Sequence, residues 1–226
     1  IEGLGDKSMA TPHAEILHNL IEQFEPLDFE LLVYPQVEKL REQQKHEEPG
    51  SDRAREIQSQ LDKLKLNLKH YLVLSIENAL LFAEKNHWGL CKNHDFIYLY
   101  NGTFWAEIDK ETFQKFLGEA AEQMGVAKFS ARFYQFREQL FKQFLSTAYL
   151  PTPESNKDTV LINLQNGTFE ISPQGTKLKP FDSSDFITYQ LPFEYNPQAE
   201  APLFKAYLNR VLPDPERQRV LAEYLG

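Results

Sequence analysis

The spacing of the apolar residues first changes near Asp95, and that change restricts the fold more than any other feature of the chain. Upstream, apolar side chains recur at helical intervals: Ile16, Leu17, Leu20, Ile21 and Phe24, then Leu32, Val33, Val37 and Leu40. Downstream, Asp95–Tyr100 and Thr103–Ile108 flank Asn101-Gly102, and Thr159–Gln165 and Thr168–Ser172 flank Asn166-Gly167. Asn-Gly between alternating segments is the strongest short-range hairpin signal, because both residues tolerate positive φ. Helices alone come first, and a part that mixes hairpins with further helices follows. The expected class is therefore α+β: an N-terminal helical hairpin or bundle over residues 11–88, then a mixed part over 89–226 with two Asn-Gly β-hairpins and packed helices.

Local signals place the helices. Thr11-Pro12 reads as a capping hydroxyl followed by proline at the first helical position, and Pro26 ends that helix. A second helix is expected over Phe29–His46, and Pro49-Gly50 forms the tip of an antiparallel helical hairpin with Ser51 or Asp52 as the next cap. Ile57, Leu61, Leu64, Leu68 and Tyr71 follow at spacings of 4, 3, 4 and 3, a heptad seam that continues through Leu72–Phe82. The seam packs against Leu32–Leu40 or, in the alternative, against a partner. Asp109 is expected to cap a helix over Lys110–Met124, and Lys128–Leu145 reads as one further helix. In the first hairpin, pairing Tyr100 with Thr103 sets Tyr98 opposite Trp105. In the second, Ile162, Leu164, Phe169 and Ile171 share a face expected to cover a core, while Asn163, Gln165, Thr168 and Glu170 face water. Pro151-Thr152-Pro153 precedes that hairpin.

Composition sets limits on function. With 42% hydrophobic residues, 17 Phe and 10 Tyr, the chain can build a core. A net charge of −9 argues against wholesale coating of nucleic acid, which needs clustered cations, and leaves room for a local basic stripe. A single cysteine, Cys91, rules out an internal disulfide framework and fits a reducing cytoplasm. No run of 18 apolar residues occurs, so no membrane partner is expected. Ile1–Ala10 lacks the apolar core of a secretory leader and is expected to be an expression remnant.

No phosphate-loop, dinucleotide-binding, nucleophile-elbow or zincin motif occurs, so no catalytic residue is assigned. His87, Cys91 and His94 are zinc-ligand types, but their spacing fits no familiar module and no metal site is expected. Asp28 and Glu30 resemble an acidic pair that clamps divalent metals, although their place before a helix suits a dipole role better.

Binding surfaces are better supported. On one continuous Lys128–Leu145 helix, Phe129, Phe133, Phe136, Leu140 and Phe144 cover one side. Lys128, Arg132, Gln135, Gln139 and Lys142 cluster opposite, a stripe of three cations and two amides able to follow a phosphate backbone. Arg137 falls among the apolar residues, so a carboxylate partner or a protomer boundary is expected there. Tyr98, Tyr100 and Trp105 form an aromatic face that could stack bases or serve a core. Arg210, Arg217 and Arg219 are candidates for an interface with a neighbouring domain or DNA.

The end of the chain resembles the accessory domain that precedes the superfamily-three helicase motor in phage, plasmid and poxvirus primase–helicases. The residues that carry this are Tyr195-Asn196-Pro197, a helix near Ala199–Leu212, the break Pro213-Asp214-Pro215, and Tyr224-Leu225-Gly226. Phe96–Ile108 and Val160–Ile171 are similar to that family's two hairpins, Phe169-Glu170 standing where Leu-Asp is commoner. The similarity spans roughly Leu80–Gly226, while Thr11–Lys69 carries no motif of the family. The resemblance implies a non-catalytic, collar-type accessory domain in replication of a mobile element, over residues 89–226. It would support assembly of a hexameric helicase ring and guide single-stranded or forked DNA weakly. It also implies no cofactor in this chain, ATP and magnesium belonging to a downstream helicase domain that starts where this chain stops. A stand-alone DNA-binding regulator and a metal-dependent nucleotidyltransferase stay open as alternatives.

Overall fold

A computed structural model of the chain describes residues 11–150 and 158–225. Ile1–Ala10, Pro151-Thr152-Pro153 and Gly226 lie outside them. The fold is α+β, helices first and then two small antiparallel sheets interleaved with helices.

The helical part comprises α1 (His13–Gln23), α2 (Phe29–Val33), α3 (Gln36–His46), α4 (Asp52–Asp62) and α5 (Leu68–Lys85). α3 and α4 form the expected hairpin about Pro49-Gly50, with the Ser51 hydroxyl accepting from the Ala54 amide at 3.1 Å. Three details differ from the sequence reading. Pro12 itself caps α1, without a side-chain bond from Thr11. The helix expected over Phe29–His46 is interrupted at Tyr34-Pro35, since a residue preceding proline is forced out of the α region. The heptad seam does not exist as one surface. Residues 63–67 leave the helix, and Asn67 starts α5 afresh with a capping box completed by His70.

The first sheet orders β1 (Gly89–Asn93), β2 (Phe96–Tyr100) and β3 (Trp105–Ile108); β1 has no sequence forecast. Tyr100 pairs with Trp105 and Tyr98 with Glu107, two residues away from the expected register. The cause is the Asn101 side chain, whose Oδ1 accepts from the Thr103 amide, the Phe104 amide and the Thr103 hydroxyl at 2.8–3.0 Å. These bonds hold residues 101–104 as a four-residue loop. A slip of two preserves the faces, so Tyr98, Tyr100 and Trp105 still share one.

Then come α6 (Lys110–Gln123), capped by Asp109 as expected, α7 (Lys128–Arg132) and α8 (Tyr134–Thr147). The main core joins α1, α5, α6 and α8 to the inner face of the first sheet. Phe113 lies at its centre with Phe144 at 4.5 Å, and Ile16, Leu20, Leu99 and Leu140 are fully buried around it.

The second sheet orders β4 (Val160–Leu164), β5 (Gly167–Ser172) and β6 (Gly175–Lys179). Leu164 pairs with Gly167, so its turn is Gln165-Asn166. The faces are those expected, but burial is shared between them: Leu164 of the apolar face is buried, and so is the middle of the polar face. Asn163 and Thr168 are 0% and 1% exposed, whereas Val160, Ile171 and Leu178 are exposed. The middle of the polar face is buried because Asn163 donates to the Thr103 carbonyl at 2.7 Å, which bonds this sheet to the loop of the first. After β6, a short 3-10 turn at Ser183–Asp185 leads to α9 (Pro202–Val211) and α10 (Pro215–Leu225).

Candidate nucleic-acid and protomer surfaces

The acidic pair near the start of the chain is already neutralised. Asp28 caps α2 through the Leu31 amide, and Arg41 of α3 bridges its carboxylate to Glu30, lying 2.7 Å from Glu30 Oε2. The Arg41 guanidinium holds the Asp28 carboxyl below its usual range. Arg41 thus competes with any cation for these two carboxylates.

The His87, Cys91 and His94 candidates do not converge. Cys91 is buried in β1 opposite Tyr98, and burial pushes its thiol up to about 12. His87 and His94 take left-handed backbone conformations at the two ends of the strand, and His94 bonds to its neighbour Asn93. Among the described residues no group of three His, Cys, Asp or Glu side chains is placed to hold a metal ion. An open cleft of about 480 Å³ lies between the end of α5 and the first sheet, lined by Glu84, His87, Trp88, Tyr100, Trp105 and Asp182. Asp182 accepts from the Ser184 amide and hydroxyl.

The aromatic face of the first sheet is closed. Phe186, at φ 48°, turns its ring over Tyr98 and Trp105 with centroids 5.0 and 5.6 Å away. Left-handed backbone is strained for so large a residue, and the ring contacts offset that strain. The Trp105 indole donates to the Ser183 carbonyl and its amide to the Ile187 carbonyl. Tyr100 and Trp105 are buried and Tyr98 partly so. The stacking platform foreseen at Tyr98, Tyr100 and Trp105 is therefore core.

The polar stripe Lys128, Arg132, Gln135, Gln139 and Lys142 is also not one helical face. The chain turns extended at Phe133 (ψ 131°), so Lys128 and Arg132 ride on α7 while the two amides and Lys142 ride on α8. Arg132 forms a two-point bond to Glu122 of α6, at 2.8 and 3.1 Å, and Lys142 pairs with Glu138. Breaking the helix orphans the Ala131 carbonyl, which an unbroken helix would give to the Gln135 amide. Arg137 Nε donates to that carbonyl at 3.4 Å. Its hydrogen-bond partner is thus a backbone oxygen, while its charge acts on the Glu122 carboxylate. The break also moves Phe129 and Phe133 out of the apolar side: Phe136, Leu140 and Phe144 are buried, whereas Phe129, Phe133 and Tyr134 are exposed.

At the C-terminal end, Gln218 donates to Asn209 and to the Leu212 carbonyl, fixing α10 against α9. α9 buries no residue. Leu203, Phe204, Tyr207, Val211, Val220 and Tyr224 are exposed, Leu203 at 86%. Arg217 pairs with Asp214, and Arg219 with Glu216 and Glu223, on the same unit; Arg210 is exposed in the last turn of α9.

Residues 183–195 form a strap that the sequence did not reveal. Beyond its bonds to Trp105, Leu191 donates to the Asn163 carbonyl and Gln165 donates to the Phe193 carbonyl. Asn166 then grips Tyr195 at both ends of its peptide frame, accepting from the amide and donating to the carbonyl at 2.9 Å each, while the Tyr195 ring stacks on Phe169 at 4.5 Å. The second hairpin turn and the Tyr195-Asn196-Pro197 motif are thus one structural unit. A family model described as D5 N terminal like matches residues 79–213, more than half of the chain. The chain belongs to this family. The family is that of the N-terminal domain of phage and poxvirus D5 primase–helicases. The D5 N-terminal-like segment runs from the second half of α5 through both sheets and the strap to the end of α9. The resemblance read from sequence extended further, to Gly226, and α10 lies beyond the match. A search of curated proteins returned no match.

Proposed function

We propose that this chain is a non-catalytic accessory domain of a mobile-element DNA primase–helicase, supporting assembly of its ring and guiding DNA. The observation that carries the reading is the α9–α10 unit. It is internally bonded yet leaves Leu203, Phe204, Tyr207, Val211, Val220 and Tyr224 to solvent. Apolar groups aligned on a defined helix pair are a protein-contact surface in waiting. The occupant is a neighbouring protomer of the same protein, which repeats the surface around a ring. Family membership supports the replication context, and the committed acidic pair at Asp28 and Glu30 favours this reading over nucleotidyl transfer. ATP, magnesium and any hexameric motor belong to the rest of the parent protein in this proposal. DNA guidance is supported by the exposed cations of α7.

The test is the mass of the full-length parent protein by sedimentation, with Leu203→Asp and Tyr207→Asp combined. Loss of the ring with an unchanged protomer melting temperature is expected. A ring of unaltered mass would remove the reading. So would nucleotide hydrolysis or DNA synthesis by the 226-residue chain alone.

A further inference from the structure

The elbow between α7 and α8 breaks the stripe read from sequence and builds a different surface from some of its residues. Phe129 is 89% exposed, Tyr134 66% and Phe133 50%. Three aromatic rings within six residues at such exposure cost solvation free energy that nothing among the described residues repays. The backbone that carries them is tied down. Arg132 bolts α7 to Glu122, Arg137 takes the Ala131 carbonyl, and the rings of Phe133 and Tyr134 meet edge to face at 5.0 Å.

The surrounding charge is positive. Lys128, Arg132 and Arg137 all act on Glu122. The next carboxylate on α6, Glu119, is also within reach of Lys115 at 3.8 Å, and Glu138 is paired with Lys142 on α8. Around Glu122 cations outnumber carboxylates, on a chain whose net charge is −9. The order Lys128-Phe129-Ser130-Ala131-Arg132-Phe133-Tyr134 sets a cation before each exposed ring or ring pair. The core of a protein–protein contact is contiguous and depleted of charge, which this surface is not. A nucleotide strand alternates a flat base with a phosphate, and rings interleaved with cations match that repeat.

We infer that the α7–α8 elbow binds single-stranded nucleic acid, with bases stacked on Phe129, Phe133 and Tyr134 and phosphates beside Lys128 and Arg132. This deepens the DNA-guiding half of the proposed function and is independent of ring assembly through α9–α10.

The experiment is fluorescence anisotropy of a labelled oligothymidylate of ~15 nucleotides, one strand-binding site length, titrated with the 226-residue chain at low salt. Phe129→Ala is expected to weaken binding about 5- to 100-fold, from the ~1–3 kcal/mol carried by each stacked base. Phe129→Trp should retain binding and Phe129→Leu should lose it, because leucine preserves apolarity but offers no stacking face. Lys128→Ala should reduce the salt dependence by about 0.7 of a counterion. Leu81→Ala, on the exposed side of α5, should change nothing. Because Phe129 is almost wholly exposed, its variants are expected to fold, and circular dichroism checks this. Binding that survives Phe129→Ala and Tyr134→Ala together overturns the elbow assignment while leaving DNA guidance by another surface intact. No binding by the unaltered chain overturns both. A chain that dimerises through the elbow, loses the dimer on Phe129→Ala and ignores the oligonucleotide overturns it in favour of a second copy.

Discussion

Gly118 and Arg137 are matched across the α6–α8 contact: a Cβ built on Gly118 would sit 2.6 Å from Arg137 Nε and 3.0 Å from both Arg137 Cγ and the Ala131 carbonyl oxygen. The glycine makes room for the guanidinium that caps the broken end of α7. In most helices Gly→Ala stabilises by about 1 kcal/mol. Here overpacking costs about 1–3 kcal/mol, so Gly118→Ala should destabilise the chain in urea unfolding. The two residues are in contact, so combining Gly118→Ala with Arg137→Ala should cost less than the sum of the single changes. Additivity would mean the contact does not carry the effect.

Asn163 joins the two sheets from a fully buried position. Replacing it by alanine leaves the Thr103 carbonyl without its donor and opens a small void. The expected loss is about 1–3 kcal/mol. If Asn163→Ala melts like the parent chain in calorimetry, the sheets are not held by this bond.

The Asn166 grip on Tyr195 is exposed, so its energy is smaller, and its removal should be local. Asn166→Ala is expected to lower strap stability by about 0.5–1.5 kcal/mol. Hydrogen exchange at the Tyr195 amide should accelerate about 2- to 10-fold while amides in α5 stay protected. Uniform acceleration throughout the chain would contradict a local clasp.

Acid should act first through His13. Its Nε2 faces the Phe104 carbonyl at 3.0 Å beside the Phe104 ring, and burial depresses its pKa below 6.5. The unfolded chain then binds a proton that the folded chain refuses. Stability is fully present above 6.5 and declines as pH falls through the folded value. The paired carboxylates Asp28, Asp109 and Glu122 shift downward from 3.8–4.5 and act only at lower pH. His13→Gln, which keeps a donor but no titration, should flatten the fall of the denaturation midpoint as pH drops below 6.5. On the alkaline side, burial lifts Cys91 and Tyr100 to about 12 from 9.0 and 10.0. Both effects remove stability as pH rises through that interval. Modification of Cys91 by a thiol reagent near pH 8 should proceed only at the rate of opening.

Several elements were legible because their causes are short-range. Ser51 and Asp109 cap the helices that follow them, Pro49-Gly50 turns the helical hairpin, and alternation in both β-hairpins assigned each residue to its correct face. The family was legible too, through the order of its hairpins and the Tyr195-Asn196-Pro197 turn. The candidate surfaces were read less well. The helical wheel over Lys128–Leu145 assumed an unbroken helix, and the break at Phe133 has no proline or glycine to announce it. The signal available was Phe133-Tyr134 itself, two large rings side by side, of which no single helix face could bury both.

The sequence by itself determined most of the helices, the Ser51 and Asp109 caps, the Pro49-Gly50 turn, the two faces of each hairpin and the family, since each depends on residues a few positions apart. Tertiary structure alone decided which face was buried and where one helix became two. Asn163 turned a polar face inward by meeting the Thr103 carbonyl 60 residues away, and Phe186 closed the Tyr98–Trp105 face from 81 residues beyond Trp105. Periodicity states that two faces differ. Only the partner supplied by a distant segment sets the sign of the desolvation free energy on each.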